Sequence, residues 1–524
     1  MTSVRLRTLA PAPLRAFRAF VALLTPLALL AITALAPRAA HGAATPAAPR
    51  PPNIIFILAD DLGRGDIGAY GQKIIRTPHL DQLAAEGVRF THHYAGSPVC
   101  APSRCVLMTG KHPGHAFVRD NREVGAWESL LGQLPLPESE TTLAQALKKA
   151  GYATGAFGKW GLGGVGTSGD PLKKGFDRFF GYNDQRHAHN FYPTVLVSDT
   201  ALVPLDNPPI KIPAVLPPDA DANDPANYAA FTGKHYAPDL IAEEARKFLR
   251  ANKDRPFFLY FPTTVPHLAL QVPEDSLAEY RGKIPDQPYR GGNGYLPHHD
   301  PRAAYAAMVT RLDREVGRFV ALVRELGLEE NTIFVFTSDN GAVYPLAGTD
   351  PIFFKSNGDL HGYKGEIYEG GMREPLLVRW KGRVPAGTTA ARVTGFEDWF
   401  PTLLELAGAT AHAPAALDGV SFAPTLLGRA QPERAFLYRE FHGYGGQQAV
   451  RVGDWKLLRR NLLPAAQKKK TGGPTTLELY DLATDPAEKT NLATARPDVV
   501  ARLEQVMREQ HTPSPNFPFP TLDR

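Results

Sequence analysis

Unbroken apolar runs, more than alternating ones, mark the strands of this chain. Asn53 to Ala59 reads NIIFILA and Thr332 to Thr337 reads TIFVFT. Runs of this kind belong to strands covered on both faces, as in a parallel sheet between helices. Pro256 to Phe261 reads as a third strand and Val88 to Tyr94 as a fourth. Between them, Thr77 and Pro78 read as an N-cap and first helical residue, Leu80, Leu83 and Ala84 form the apolar stripe, and Gly87 stops the helix. A longer helix from about Pro301 to Leu326 carries Met308, Leu312, Val316, Phe319 and Val323 at spacings of four, four, three and four. Asp239 to Leu249 reads as another helix. The class is therefore α/β.

The pattern changes at Gly408 to Leu417. Beyond it, the short runs Ala435 to Arg439, Gln448 to Val452, Trp455 to Arg459 and Leu477 to Tyr480 precede a helix over Pro497 to Gln510. They predict a small antiparallel sheet with one packed helix. A catalytic domain over 53–410 and a smaller C-terminal domain over 411–524 are expected, since a chain this long exceeds what one core usually holds. Residues 190 to 237 are proline-rich with little periodicity and are expected to form a rim over a pocket. Lys468 to Lys470 with Gly472 and Gly473 read as a solvated hairpin tip.

Composition changes the picture at the N-terminus. Arg5, Arg7, Arg15 and Arg18 precede an apolar run from Phe20 to Ala36 and then small residues, so 1–42 reads as a secretory signal and 43–52 as an Ala/Pro linker. A periplasmic or secreted location follows, with no stable membrane association once the signal is cut. Of the 58 Lys and Arg, five lie in this signal with no acidic residue, which leaves the remainder balanced against 53 Asp and Glu. A balanced chain gives no support for nucleic-acid binding, where a basic face is expected. Two cysteines exclude a disulfide scaffold, and a bridge between Cys100 and Cys105 is not expected.

Candidate chemistry gathers at the strand ends. The first run stops in Asp60-Asp61 and the second in Ser338-Asp339-Asn340-Gly341, the crevice position where open α/β sheets place ligands. Asp60, Asp61, Asp339 and Asn340 form an all-oxygen set suited to Ca²⁺ or Mg²⁺. Few water ligands would favour Ca²⁺. Cys100 stands where a helix should begin, with Pro102 in its first turn, so unpaired N–H groups favour a developing anion there. Arg104, one turn on, can return towards it. A buried structural cysteine is the alternative reading. Gly161 to Gly166 matches GxGxxG but runs into Thr-Ser-Gly-Asp-Pro instead of a helix, so it is read as a flexible active-site loop and not a dinucleotide site.

Cys100-Ala-Pro-Ser-Arg104 resembles the CxPxR signature of type I sulfatases, the arylsulfatase family of the alkaline-phosphatase-like superfamily. Gly158-Lys159-Trp160, Val265-Pro266-His267, Gly362-Tyr363-Lys364-Gly365 and Glu369-Gly370-Gly371 resemble further segments of that family, in its order, over residues 52 to 410. The resemblance implies an alkaline-phosphatase-like sandwich: a large, mostly parallel mixed sheet flanked by helices, then a small domain with a four-stranded antiparallel sheet and a helix. It implies hydrolysis of sulfate monoesters by formylglycine (3-oxoalanine), made from Cys100 by a formylglycine-generating enzyme, whose hydrate is the nucleophile. Asp60, Asp61, Asp339, Asn340 and the modified Cys100 would be the metal ligands.

In that scheme Arg104 positions the nucleophile, Asp339 accepts its proton, Lys159 and Lys364 hold the sulfate, and His267 protonates or orients the leaving alcohol. Arg119, Asp120, Asn121, Arg186, His187 and His189 are polar enough to bind a sugar, so a small or oligosaccharide sulfate ester is the expected substrate. A phosphomonoester or phosphodiester hydrolase of the same fold and a non-catalytic sulfated-glycan-binding homologue are the alternatives. The chain departs from the family at Gly161, where the GKWHLG segment carries histidine. His187 or His189, which would share a side in extended backbone, is expected to replace it.

Overall fold

The three most apolar runs lie side by side in the middle of one large sheet in the computed structural model, which describes residues 50–125, 132–464 and 473–523. The signal expected over 1–42, most of the expected linker and the hairpin tip expected at Lys468 to Lys470 lie outside these residues. In chain order the strands are β1 (Asn53–Ala59), β2 (Val88–Tyr94), β3 (Ala153–Lys159), β4 (Arg178–Tyr182), β5 (Val195–Ser198), β6 (Ala201–Pro204), β7 (Phe257–Pro262), β8 (Thr332–Ser338), β9 (Arg373–Arg379), β10 (Thr388–Ala390) and β11 (Thr394–Gly395). Their order is β10-β2-β9-β8-β1-β7-β3-β4-β5-β6, with β11 beside β2. From β8 through β4 all pairs are parallel, and antiparallel pairs occur only outside that block.

The continuity of the apolar runs has a direct cause. Ile55 and Ile57 of β1 join the cluster formed with the helices Pro78–Ala85, Ala237–Ala251 and Pro301–Glu325. Ile54, Phe56 and Leu58 join the opposite cluster with Cys100–Thr109, Leu143–Lys149 and Trp399–Leu406. Each such side chain contributes about 1.5–3 kcal/mol on burial, so neither face tolerates a polar residue. Among the described residues no helix is long and apolar enough to cross a membrane.

The proline-rich stretch 190–237 is not simply a rim. Val195–Ser198 and Ala201–Pro204 form a hairpin that ends the sheet, and Pro225–Phe231 is a 3₁₀ helix. The short edge strands, one of them closed by Pro204, carry too few residues for their periodicity to show in sequence.

The second sheet is β12 (Leu437–Phe441), β13 (Gln447–Val452), β14 (Trp455–Arg460) and β15 (Thr476–Asp481), antiparallel in that order. Val499, Leu503 and Met507 of the helix Pro497–Gln510 pack on one face. On the other, Leu437, Phe441 and Leu458 share a cluster with Tyr94, Val99 and Met372 of the larger sheet's side. Pro49–Arg524 is therefore one compact unit.

Arg119 sits in this seam, not at a substrate. Its guanidinium donates to Ala116 O at 3.0 Å, Gly114 O at 2.8 Å, Glu440 Oε1 at 2.9 Å, and Thr512 O and Oγ1 at 2.7 and 3.0 Å. All five N–H donors are used, and only 3% of the residue is exposed. Its expected role in sugar binding is overturned, because nothing is left to offer a ligand. Arg119→Ala should lower unfolding stability by about 3 kcal/mol, since it leaves Glu440 Oε1 and the Gly114, Ala116 and Thr512 carbonyls without their donor, although His511 and Tyr438 still hold Glu440 Oε2. Equilibrium urea unfolding checks this, and an unchanged midpoint would contradict it.

Candidate active site

Parallel pairing of β1 with β8 sets Ala59 opposite Ser338, so both strands end at one level. Beyond them the Asp339 N–H donates to Ala59 O at 3.0 Å, the Asp61 N–H to Asp339 Oδ1 at 3.2 Å and the Leu62 N–H to Ser338 Oγ at 3.0 Å. Asp61 adopts a left-handed φ of 63°, a conformation that costs an aspartate about 1–3 kcal/mol. It interrupts the alternation by which neighbouring strand side chains point apart. Oxygens of Asp60 and Asp61, Cys100 Sγ and a ring nitrogen of His267 then lie within 4.8 Å of one another.

Three cations hold these carboxylates. Lys159, the last residue of β3, donates to Asp60 Oδ2 at 2.7 Å. Arg104 donates to Asp339 Oδ2 through Nε at 3.1 Å and Nη2 at 2.8 Å, and lies 3.5 Å from Asp60 Oδ2. Lys364 donates to Asp61 Oδ2 at 2.8 Å. Burial alone would raise the pKa of Asp60, but Lys159, with Arg104 and Lys364, outweighs it and keeps the carboxyl well below the usual range. For Asp339 burial prevails, with the Asp60 charge adding to it, and its pKa is pushed up to about 6. Arg104 was expected to return to Cys100. It turns instead to Asp339, Asp60 and the Lys159 carbonyl, which are the acceptors its buried guanidinium requires.

Cys100 opens the helix Cys100–Thr109 as expected and is 1% exposed. Its Sγ donates to Asp60 Oδ1 at 3.3 Å, and Lys364 Nζ approaches the sulfur at 3.7 Å. Both cysteines are free. Asn340 Nδ2 donates to Asp61 Oδ1 at 2.7 Å, while its Oδ1 is buried with no partner among the described residues. His267 Nδ1 meets the Leu268 carbonyl, which fixes the proton on Nδ1 and leaves Nε2 3.4 Å from Asp61 Oδ2.

A cavity of about 840 Å³ opens over this cluster, and Asp120, Asn121, Arg186 and His189 line it as expected. Asn121 also accepts the Ala101 N–H at 3.0 Å, capping the first turn of the Cys100 helix. His187 and His189 do not share a side in extended backbone, since both lie in a 3₁₀ turn. His189 stacks on His267 with centroids 4.7 Å apart. His187 is buried edge-on to Tyr182 and lines a neighbouring cavity of about 780 Å³.

The Gly161 to Gly166 segment is pinned to the fold and does not itself line the cavity. Leu162 O accepts the Leu136 N–H at 2.9 Å, Trp160 Nε1 donates to Gly169 O at 2.8 Å, and Leu162 is wholly buried. Sequence reasoning missed Gln133, Gln185, Tyr295 and Tyr444, which line the main cavity. Both amides are buried with no hydrogen-bond partner among the described residues, a property with no local sequence signal.

A family model described as Sulfatase matches residues 52–409, and one described as N-sulphoglucosamine sulphohydrolase, C-terminal, matches 361–512. Human arylsulfatase A is 36% identical over 489 residues, covering 87% of this chain and 87% of that protein. N-acetylgalactosamine-6-O-sulfatase of Bacteroides thetaiotaomicron is 31% identical over 509 residues, covering 88% of this chain and 93% of that protein. A crystal structure of Ps i-CgsB in complex with k-i-k-neocarrahexaose superposes with a TM-score of 0.71 at 26% identity, covering 90% of this chain and 96% of that one.

The unmodified thiol is a poor nucleophile here. Burial, then the Asp60 carboxylate, push the pKa of Cys100 far above its ordinary range. Protein carrying the unconverted cysteine should therefore alkylate far more slowly at Cys100 when folded than after unfolding, as read by peptide mass spectrometry at pH 8. Rapid labelling of folded protein would contradict the geometry.

Proposed function

The chain belongs to the sulfatase family, type I sulfatases of the alkaline-phosphatase-like superfamily, and is a sulfuric ester hydrolase; from that premise we propose that it releases sulfate from a sulfated carbohydrate. The observation that carries this reading is the balanced cluster around Cys100: three buried carboxylates against Arg104, Lys159 and Lys364.

A divalent ion fits the residues present. The oxygens of Asp60 and Asp61, gathered with Cys100 and the His267 ring, are hard donors that suit Ca²⁺, with Mg²⁺ the alternative, and Asp339 and the unpartnered Asn340 Oδ1 would complete the set. Held there, it would supply the excess positive charge that an anionic ester needs in a cluster otherwise near neutrality. Conversion of Cys100 to formylglycine by a formylglycine-generating enzyme would supply a hydroxyl nucleophile in place of the unreactive thiol.

The chain's own residues supply the remaining work. Lys159 and Lys364 hold sulfate oxygens. Arg104 fixes Asp339, which takes the proton of the attacking hydroxyl. His267 Nε2 faces the pocket and carries the proton to the departing alcohol oxygen. Burial, then Lys364, keep this ring neutral, and the charge of a bound ester offsets Lys364 and favours its protonation.

The polar cavity wall of Asp120, Asn121 and Arg186 supports a sugar as the alcohol. So do the names of two relatives, an N-acetylgalactosamine-6-O-sulfatase and a complex with a neocarrahexaose. The Arg-led apolar segment over 1–42 supports export to the periplasm or beyond.

Sulfated mono- and oligosaccharides assayed beside 4-nitrophenyl sulfate test the substrate class, and turnover confined to the aryl ester would sink the carbohydrate reading. Mass spectrometry of the Cys100 peptide tests the nucleophile. Asp60→Ala or Asp339→Ala should remove bound metal and activity together, because each deletes a charged ligand. Elemental analysis reads the metal, and a fully active, metal-free protein would refute the site.

A further inference from the structure

Gly161 stands where the family carries a histidine, and the space of that missing side chain is filled. β3 and β4 pair in parallel up to Lys159 opposite Tyr182. The pairing continues beyond them, the Trp160 N–H donating to Tyr182 O at 2.8 Å and the Gly161 N–H to Asn183 O at 3.2 Å. This brings residue 161 against the segment that follows β4. A Cβ placed on Gly161 would lie 2.0 Å from Gln185 Nε2, closer than real contacts, and a tight 3.0 Å from its Cδ, so the end of the Gln185 side chain would have to move. The carboxamide of Gln185 thus occupies the volume that a side chain at 161 would need.

Gln185 is 5% exposed, and neither its Nε2 nor its Oε1 has a hydrogen-bond partner among the described residues. A buried primary amide left unpaired is costly, yet this one lines the same cavity as Cys100, Lys159 and His267. Its environment lacks an acceptor for the two amide hydrogens, and a sulfuryl oxygen is an acceptor of that kind.

We propose that Gln185 is a substrate-holding residue that takes the place of the absent histidine, donating from Nε2 to an oxygen of the bound sulfate group. The proposal rests on the sulfatase reading and deepens it. A carboxamide donates without titrating near neutral pH, so Gln185 supplies a fixed hydrogen bond and no proton transfer. Neither His187 nor His189 then needs to enter the space at 161.

Gln185→Met keeps the length and volume of the side chain and removes the donor, which separates hydrogen bonding from space filling. For enzyme from a host that converts Cys100, inhibition by inorganic sulfate should weaken about 10- to 100-fold and KM for the ester should rise in step. The thermal midpoint should not fall, as a purely structural role would require. Gly161→His alone should weaken sulfate inhibition by pushing the Gln185 carboxamide from its place. The double change Gly161→His with Gln185→Ala should restore it, since histidine tolerates the left-handed φ of 77° at this position better than most residues. An active parent whose Gln185→Met variant keeps its sulfate inhibition and KM would overturn the proposal alone. A converted parent that neither hydrolyses sulfate esters nor binds sulfate would overturn the sulfatase reading with it.

Discussion

Three carboxylates cannot be buried within a few ångströms of one another unless each has its own cation, and the active-site end of this protein is built around that constraint. Lys159 answers Asp60, Lys364 answers Asp61 and Arg104 answers Asp339, at 2.7 to 2.8 Å in each case. Each cation comes from a different part of the chain: the end of β3, the loop before β9 and the first turns of the Cys100 helix. Removing water makes each pair strong only while its partners stay in register, since a lone buried charge costs several kcal/mol. The large sheet supplies that register.

The smaller sheet answers a second constraint of the same kind. Glu369 and Glu397, both fully buried near the junction with β2, take their cations from β12–β14 and the segment before them: Lys456 at 2.9 Å, and Arg434 and Arg439 at 3.1 Å each. Arg119 and Glu440 make the same exchange at the far side of the seam. The two sheets thereby complete one another's buried charges. Tyr444 and Gly445, in the turn between β12 and β13, reach the cavity above Cys100 on this footing.

The exchange between Gly161 and Gln185 shows how a site can lose a side chain without losing its packing. A glycine accepts the left-handed backbone and leaves a hole, and Gln185, from the segment that follows the adjacent parallel strand, fills it with a polar group of different chemistry. Volume is conserved while a titratable ring gives way to an amide. Similar positions in related chains should be read as pairs, because the residue at 161 limits what 185 can be.

Much of this architecture is legible in local pattern. Unbroken apolar runs identify β1, β7 and β8 because a strand covered on both faces has no polar side to show. Acidic residues at the ends of two such runs, a cysteine at a helix start and the spacing CxPxR mark the site because each is a property of a few consecutive residues. Only the tertiary structure brings Asp61 and Asp339 together across a separation of 278 residues. It also assigns Arg119 to the seam, turns Arg104 to Asp339, and sets Gln185 in the space left at Gly161. Those outcomes depend on strand register and on which donors find acceptors after burial. Both are relations between distant segments, and no window of sequence contains them.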